Sequence, residues 1–351
     1  MTGLPAALLV ILGFGLVILI IVDFFGTTLM PSSVRFIGAM VATYVWRLFV
    51  LAAEGTGRPR LRELAGPVII VTVFATWVLL TWIAWTVIFV SDRSAVLEAV
   101  SGQPANFWER VYYVGFTLST LGVGDYKAGD DLSRILTAIA SFAGITIVTL
   151  TIANLISITG AVTSTRALAA QLTSLGESGE EILINGWDGE TFEPLTRQLT
   201  PLLRLLFEHS ERAEASPVIN HFVSLYRRTA IAPAVAALDD ALLLLRKAVA
   251  PEARPHGLHL DPFLEAIRAV VPELTMRLPT PPPPIPATGR LQATGIPLGA
   301  DDPGSWCDER DRKRRAALAA WLRESGWLWG PPAAHAFRRV QGAKLRRVGE
   351  A

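Results

Sequence analysis

One cysteine, Cys307, stands in 351 residues, so no intramolecular disulfide forms and no thiolate cluster can hold a metal. The five histidines lack the short spacings of a metal site. Charge is also scarce: 18% of residues are Asp, Glu, Lys or Arg, against about a quarter in ordinary soluble domains. A net charge of +1 argues against nucleic acid as a partner, because phosphate neutralisation needs clustered cations. No G-x-G-x-x-G follows a predicted strand, so a dinucleotide-binding domain is not expected. No arginine recurs at every third position of an apolar helix, which argues against a voltage sensor. No nucleophile, base and orienting group can be named from spacing, so the chain is read as a non-enzyme without a cofactor.

What is abundant is apolar sequence, 51% of the chain, concentrated before Thr165. Leu4 to Val22 reads as a first membrane span, being about 20 residues without charge. No basic residue precedes it and no small-residue cleavage site follows, so it is expected to be retained. Asp23, just inside its end, reads as a carboxylate reaching the interface rather than a functional intramembrane acid. Val34 to Glu54 is amphipathic, with Arg35, Thr43, Arg47 and Glu54 on one sector and Ile37, Val41, Val45, Leu48 and Ala52 opposite. That pattern predicts a helix lying in the membrane surface, with a further crossing as the alternative. The basic loop Arg58-Pro59-Arg60-Leu61-Arg62 marks the cytoplasmic side before a second span, Gly66 to Val90. The amino terminus is then outside, and so is the polar stretch Ser94 to Asn106. Phe107 to Ser119 is too short to cross and reads as a re-entrant helix. Ile135 to Ile158 is the third span; its Ser141, Thr146, Thr149, Thr151 and Asn154 suit either a wet cavity or helix contacts.

Between the second and third spans lies Thr117-Leu118-Ser119-Thr120-Leu121-Gly122-Val123-Gly124-Asp125. Gly122 and Gly124 reach positive φ readily, so the run can turn successive carbonyls toward one side. The stretch resembles the selectivity filter of the potassium channel family, T-x-x-T-x-G-[Y/F]-G-D. By that resemblance Thr120, Leu121, Gly122, Val123 and Gly124 coordinate potassium ions, the metal being held by backbone oxygens of Thr120 to Val123 with the Thr120 hydroxyl at the inner mouth. Thr117, Asp125, Tyr112 and Tyr113 fall where the family supports its filter, with either tyrosine as the partner of Asp125. Gly144, twenty positions after Gly124, matches the family's gating hinge, although close helix packing explains it equally well. Val123 departs from the pattern, since the family carries an aromatic brace there. The resemblance covers Gly66 to Thr165 closely. It implies a homotetramer, because one chain supplies one pore loop.

The fold expected is an all-α membrane protein: three transmembrane helices with a re-entrant pore helix and filter, plus a helical cytoplasmic domain. The divisions are 1–65 (first span and interfacial helix), 66–165 (pore module), 166–278 (helical domain), 279–304 (Pro/Gly-rich linker) and 305–351 (basic, Trp-containing tail). Helices are expected at Arg166 to Leu175, Glu190 to His209, Pro217 to Arg228, Ala232 to Val249 and Pro262 to Arg277. Ile182-Leu183-Ile184 before Asn185-Gly186 reads as a short strand and turn. Asp239-Asp240 and the pair His256 and His259 read as solvated surface. In the tail, Arg310, Arg312, Lys313, Arg314, Arg315, Arg338, Arg339, Lys344, Arg346 and Arg347 suit anionic lipid headgroups, or a solvated helix whose tryptophans pack on the body. Potassium conduction is the leading function. A weakly selective cation channel and a non-conducting, membrane-anchored interaction protein are the alternatives.

Overall fold

The computed structural model describes residues 4–28, 36–255, 260–272, 275, 280–300, 303 and 306–330. Helix α1 is Leu4–Thr28, α2 Ile37–Thr56, α3 Leu61–Val90, α4 Phe107–Leu118 and α5 Asp131–Leu175. The one sheet among the described residues pairs β1, Val96–Glu98, with β2, Tyr126–Ala128, antiparallel and with Val96 opposite Ala128. Helices α1, α2, α3 and α5 are each long and apolar enough to cross a membrane, so α2 meets that measure along with the three expected spans. Two compact units divide the chain: Met1–Val45 with Pro67–Ile158, and Trp46–Gly66 with Thr159–Ala351.

In the first unit α1 packs antiparallel on α3. Gly13 sits so close to α3 that a Cβ there would stand 2.4 Å from Ile88, and further along α1 Phe24 meets Trp77 edge-on at 4.8 Å. Asp23 does not reach an interface as the sequence suggested; it is 1% exposed. Its Oδ1 accepts the amides of Phe36 at 2.7 Å and Ile37 at 2.8 Å, and its Oδ2 those of Gly38 at 3.2 Å and the Trp77 indole at 2.9 Å. A carboxylate at a helix N-terminus satisfies orphan N–H groups and complements the dipole, so Asp23 fixes where α2 starts. α2 begins beside Trp77, where Gly38 lies against the ring, and is joined to α3 by the short turn at 57–60.

The second unit is helical throughout its core. α5 carries on through Leu175 rather than ending and restarting at Arg166. It is followed by α6 (Gly179–Gly186), α7 (Glu193–Ala215), α8 (Ile231–Lys247), α9 (Leu260–Val270), α10 (Gly289–Ala293) and α11 (Glu309–Glu324). The expected strand at Ile182 to Ile184 is instead inside α6, whose Ser178 side chain caps it by accepting from the Glu181 amide; burial of Ile182 and Leu183 in the helical core overrides their local preference. Pro217 to Arg228 is not a helix but two short 3-10 turns, Pro217–His221 and Arg227–Thr229. The proline-rich stretch carries no regular structure over 280–286, yet it is not a free linker: Leu291 and Ile296 are buried in the same core.

Asp239 and Asp240 are a further correction. α8 is buried on nearly all sides, so Asp239 is 0% exposed. It pairs with Arg314 at 2.6 Å and Arg315 at 3.0 Å, and Asp240 takes Arg315 at 2.7 Å. Asp311 joins the network through Arg314 and Arg246. These pairs seat α11 on α8, with Trp321 buried beneath, so Arg314 and Arg315 are not available to lipid. His256, His259 and the arginines and lysine from 338 to 347 lie outside the described residues.

Candidate functional site

The filter stretch hangs between α4 and β2 in the first unit. α4 forms because Asn106 and Glu109 make a reciprocal capping box at its start. At its other end the amide of Thr120 bonds the Thr117 carbonyl at 3.1 Å and that of Leu121 bonds the Phe116 carbonyl at 2.9 Å. This paired closure needs a residue of positive φ just past the helix, usually glycine. Thr120 takes that place at φ 58°, the one non-glycine with positive φ among the described residues. A β-branched residue there costs of order 1–3 kcal/mol and persists only where the surroundings hold it. Gly122 follows at φ 56° and Gly124 at φ 89°. The backbone therefore changes hand at every second residue from 120 to 124, a pattern that can turn successive carbonyls to one side. The side chains of Leu121 and Val123 are 70% and 50% exposed.

Contacts on three sides fix the height of α4. On the α3 side the Trp82 indole donates to the Val111 carbonyl at 2.8 Å, and Gly115 rests on the same ring, where a Cβ would stand 2.8 Å away. On the α5 side the Thr137 hydroxyl spends its proton on the Ser133 carbonyl at 2.7 Å, so Tyr113 donates to Thr137 at 2.6 Å. Thr117, buried at the foot of the filter, is a second neighbour of the Tyr113 hydroxyl. At the base, Gly144 of α5 lies against the last turn of α4: a Cβ on it would stand 2.0 Å from the Leu118 carbonyl oxygen. That is a close-approach glycine, and α5 runs through it without interruption.

The two tyrosines separate. Tyr113 is 2% exposed and turned to α5, whereas Tyr112 is 44% exposed with Asp125 as the hydrogen-bonding neighbour of its hydroxyl. The two-stranded sheet of β1 and β2 closes above, the Ala99 amide bonding the Asp125 carbonyl at 2.8 Å.

Arg110 was not singled out from the sequence. It is 5% exposed and, among the described residues, forms no salt bridge, the nearest opposite charge being the exposed Asp92. Its guanidinium donates to the carbonyls of Ala105 at 2.9 Å, Phe89 at 2.9 Å, Asp92 at 2.6 Å and Arg93 at 2.7 Å. A cation at the C-terminal end of α3 satisfies its orphan carbonyls and complements its dipole. The signal available was a lone arginine inside an otherwise aromatic amphipathic helix.

Residues 73–160 match the ion channel family. The chain is 27% identical over 312 residues, 88% of its own length and 91% of the relative's, to the uncharacterized membrane protein YdjJ of Bacillus subtilis. No solved structure matches. The chain is thus an all-α membrane protein that carries an ion channel pore domain.

Proposed function

We propose that this pore domain is one quarter of a homotetrameric potassium channel, in which Thr120, Leu121, Gly122, Val123 and Gly124 surround the ion path. The observation that carries the reading is the alternating positive φ at Thr120, Gly122 and Gly124 directly after the C-terminus of α4. Carbonyls so aligned replace a cation's hydration shell, and the negative end of the α4 dipole favours a cation just below them. Thr117 and Tyr113 of α4 brace the filter base against Thr137 of α5, Tyr112 and Asp125 hold it at the mouth, and Gly144 sets the distance between α5 and the filter base. Four subunits close the ring.

The amino terminus lies outside and the second unit in the cytoplasm of a bacterial-type inner membrane. Two features support this. The basic turn Arg58 to Arg62 precedes α3, and α1 runs antiparallel to α3 in the first unit, which leaves no full crossing for α2 between them, so α1, α3 and α5 make the three crossings. Anionic lipid at the tail rests on Arg310, Lys313 and residues beyond 330.

Flux from liposomes loaded with potassium or with sodium tests the reading. The wild type should pass potassium faster than sodium, and Gly122→Ala should pass neither while still assembling, because an added Cβ opposes the left-handed conformation. Unchanged flux in an assembled Gly122→Ala protein would overturn it. Val123→Tyr, which restores the aromatic brace, should raise the preference for potassium. Equal rates for both ions in the wild type favour the weakly selective channel, and silence favours an interaction protein.

A further inference from the structure

A cavity in the second unit is lined by Thr165 of α5, His209 of α7, Ser224 and Thr229 of the 3-10 region, the first turn of α8, and Trp321 of α11. Water centres fit within about 30 Å³ of it, room for roughly two waters or one compact anion. His209 is 5% exposed and its Nε2 has no partner among the described residues. The tautomer follows from its neighbour. The Thr165 hydroxyl gives its only proton to the Ala161 carbonyl at 2.9 Å, so at 3.0 Å it must accept from His209 Nδ1–H. Nε2 is therefore a bare lone pair. Burial, aided by the nearby Arg212, pushes the imidazole down to about 4, which keeps it neutral at pH 7.

Opposite qualities meet it across the same cavity. α8 starts at Ala230 without a side-chain cap, and the amides of Ile231 and Ala232 find no acceptor among the described residues, so the positive end of its dipole is open to the cavity. Arg166 also lines it, and no carboxylate does. Amides, a guanidinium and a helix N-terminus call for an oxyanion; the lone pair of His209 calls for a donor. Only an anion that keeps a proton answers both.

We propose that this cavity binds the phosphate group of a small ligand in a protonated form, its P–OH donating to His209 Nε2 and its other oxygens accepting from the amides of Ile231 and Ala232 and from Arg166. Because Thr165 and Arg166 belong to α5, which runs on from the pore domain, occupancy restrains the helix that, on the proposed function, lines the pore. The binding claim itself does not depend on that reading.

The probes are inorganic phosphate and sulfate, titrated calorimetrically into the full chain in detergent at pH 7. Phosphate should bind at least tenfold tighter than sulfate, which has the same shape and no proton to give. His209→Leu should erase the discrimination. Ile231→Pro removes one amide at a position where proline is tolerated, after an Ala230 already extended at ψ 111°, and it should weaken phosphate about tenfold without disturbing the fold. Arg166→Ala, at an exposed position, should do the same. Sulfate binding as well as phosphate, or three variants indistinguishable from wild type, would overturn the proposal. A third arm uses nanodiscs of neutral lipid with and without phosphatidic acid: competition of that lipid with phosphate identifies the source as a headgroup, and its absence a soluble phosphate. Phosphate binding in a protein that passes no ions would refute the pore and keep the site; ion flux without phosphate binding would do the reverse.

Discussion

In the first unit neither of the two buried charged side chains forms a salt bridge among the described residues. Asp23, 1% exposed, is held by amides at the start of α2, and Arg110, 5% exposed, by carbonyls around the end of α3. In the second unit Asp239, at 0%, and Arg315, at 1%, are held by each other and by Arg314 and Asp240. A helix end carries about half a charge together with unsatisfied groups, so it can take one ion without a second leaving water. That suits a unit whose outer surface is apolar. An ion network needs every member in place, and it binds two segments far apart in sequence, as α8 and α11 are.

The contrast breaks first where one member of the network is removed. Asp239→Asn leaves Arg314 and Arg315 short of a charge in a buried site, and breaking such a pair costs about 3–5 kcal/mol. Thermal unfolding of the detergent-solubilised chain should show this as the largest fall in midpoint among single substitutions at these buried charges, with the α11 region becoming the first to exchange its amide hydrogens. A fall too small to measure would mean that α11 is held by Trp321 and its apolar neighbours alone.

Arg110→Met comes next. It keeps the length of the side chain but leaves the carbonyls of Phe89, Asp92 and Arg93 without a donor, at about 3 kcal/mol for hydrogen bonds to a charged group. Since α4 then loses its tie to the end of α3, ion flux should fall with stability, and Arg110→Lys should recover only part of each, because an ammonium cannot fork to all these carbonyls. Full recovery by lysine would show that charge at the helix end matters and fork geometry does not.

Why these two charges were hard to see in the sequence follows from the same contrast. The spans were legible because about 20 apolar residues have few other uses, and the filter because its message is a glycine pattern that speaks about backbone. Asp23 and Arg110 bind backbone groups, which carry no residue signature, so nothing at a fixed spacing announces their partners. Asp239-Asp240 was misread as surface because its partners lie 75 residues on, at Arg314 and Arg315. Ile182-Leu183-Ile184 was misread because β-branched residues favour strands only where a sheet exists to join. The positive φ of Thr120 had one hint, its place just beyond a helix end, and threonine is the wrong residue by propensity. Such a mismatch between residue and conformation is where function is best sought.

A finer distinction lies in how the second unit answers pH. His209 and His221 are both pushed down to about 4, by burial first, so from pH 6 to pH 4 the unfolded chain takes up two protons that the folded chain refuses, and stability falls. Asp240 is pushed up to about 6 by burial, against the pull of Arg315; it takes its proton folded before it does unfolded, and stability rises over the same window. Two protons against one leave a net loss of about 1.4 kcal/mol per pH unit. With His209→Gln and His221→Gln together, Asp240 and Glu324, both pushed up by burial, are the groups that take a proton first in the folded chain, and the slope should reverse between pH 6 and about pH 5, above the range in which exposed carboxylates titrate. Continued loss of stability on acidification of the double variant would place the acid sensitivity elsewhere.

The smallest effect sharpens the first unit's side of the comparison. Trp77→Phe removes one of the four donors to Asp23 while keeping the aromatic packing on Phe24, and it should cost about 1 kcal/mol. Asp23→Asn should cost about 2 kcal/mol, because an amide offers one oxygen where the carboxylate offered two. The pair is informative in combination. In Asp23→Asn the oxygen is best spent on the Phe36 and Ile37 amides, which turns the NH₂ toward the Trp77 indole, donor against donor. Removing that indole relieves the clash, so Trp77→Phe should cost little or nothing once Asp23→Asn is already in place. A double-mutant cycle on thermal stability measures the coupling directly. If the two losses simply add, the indole bond contributes nothing through Asp23, and the start of α2 is set by the helix amides alone.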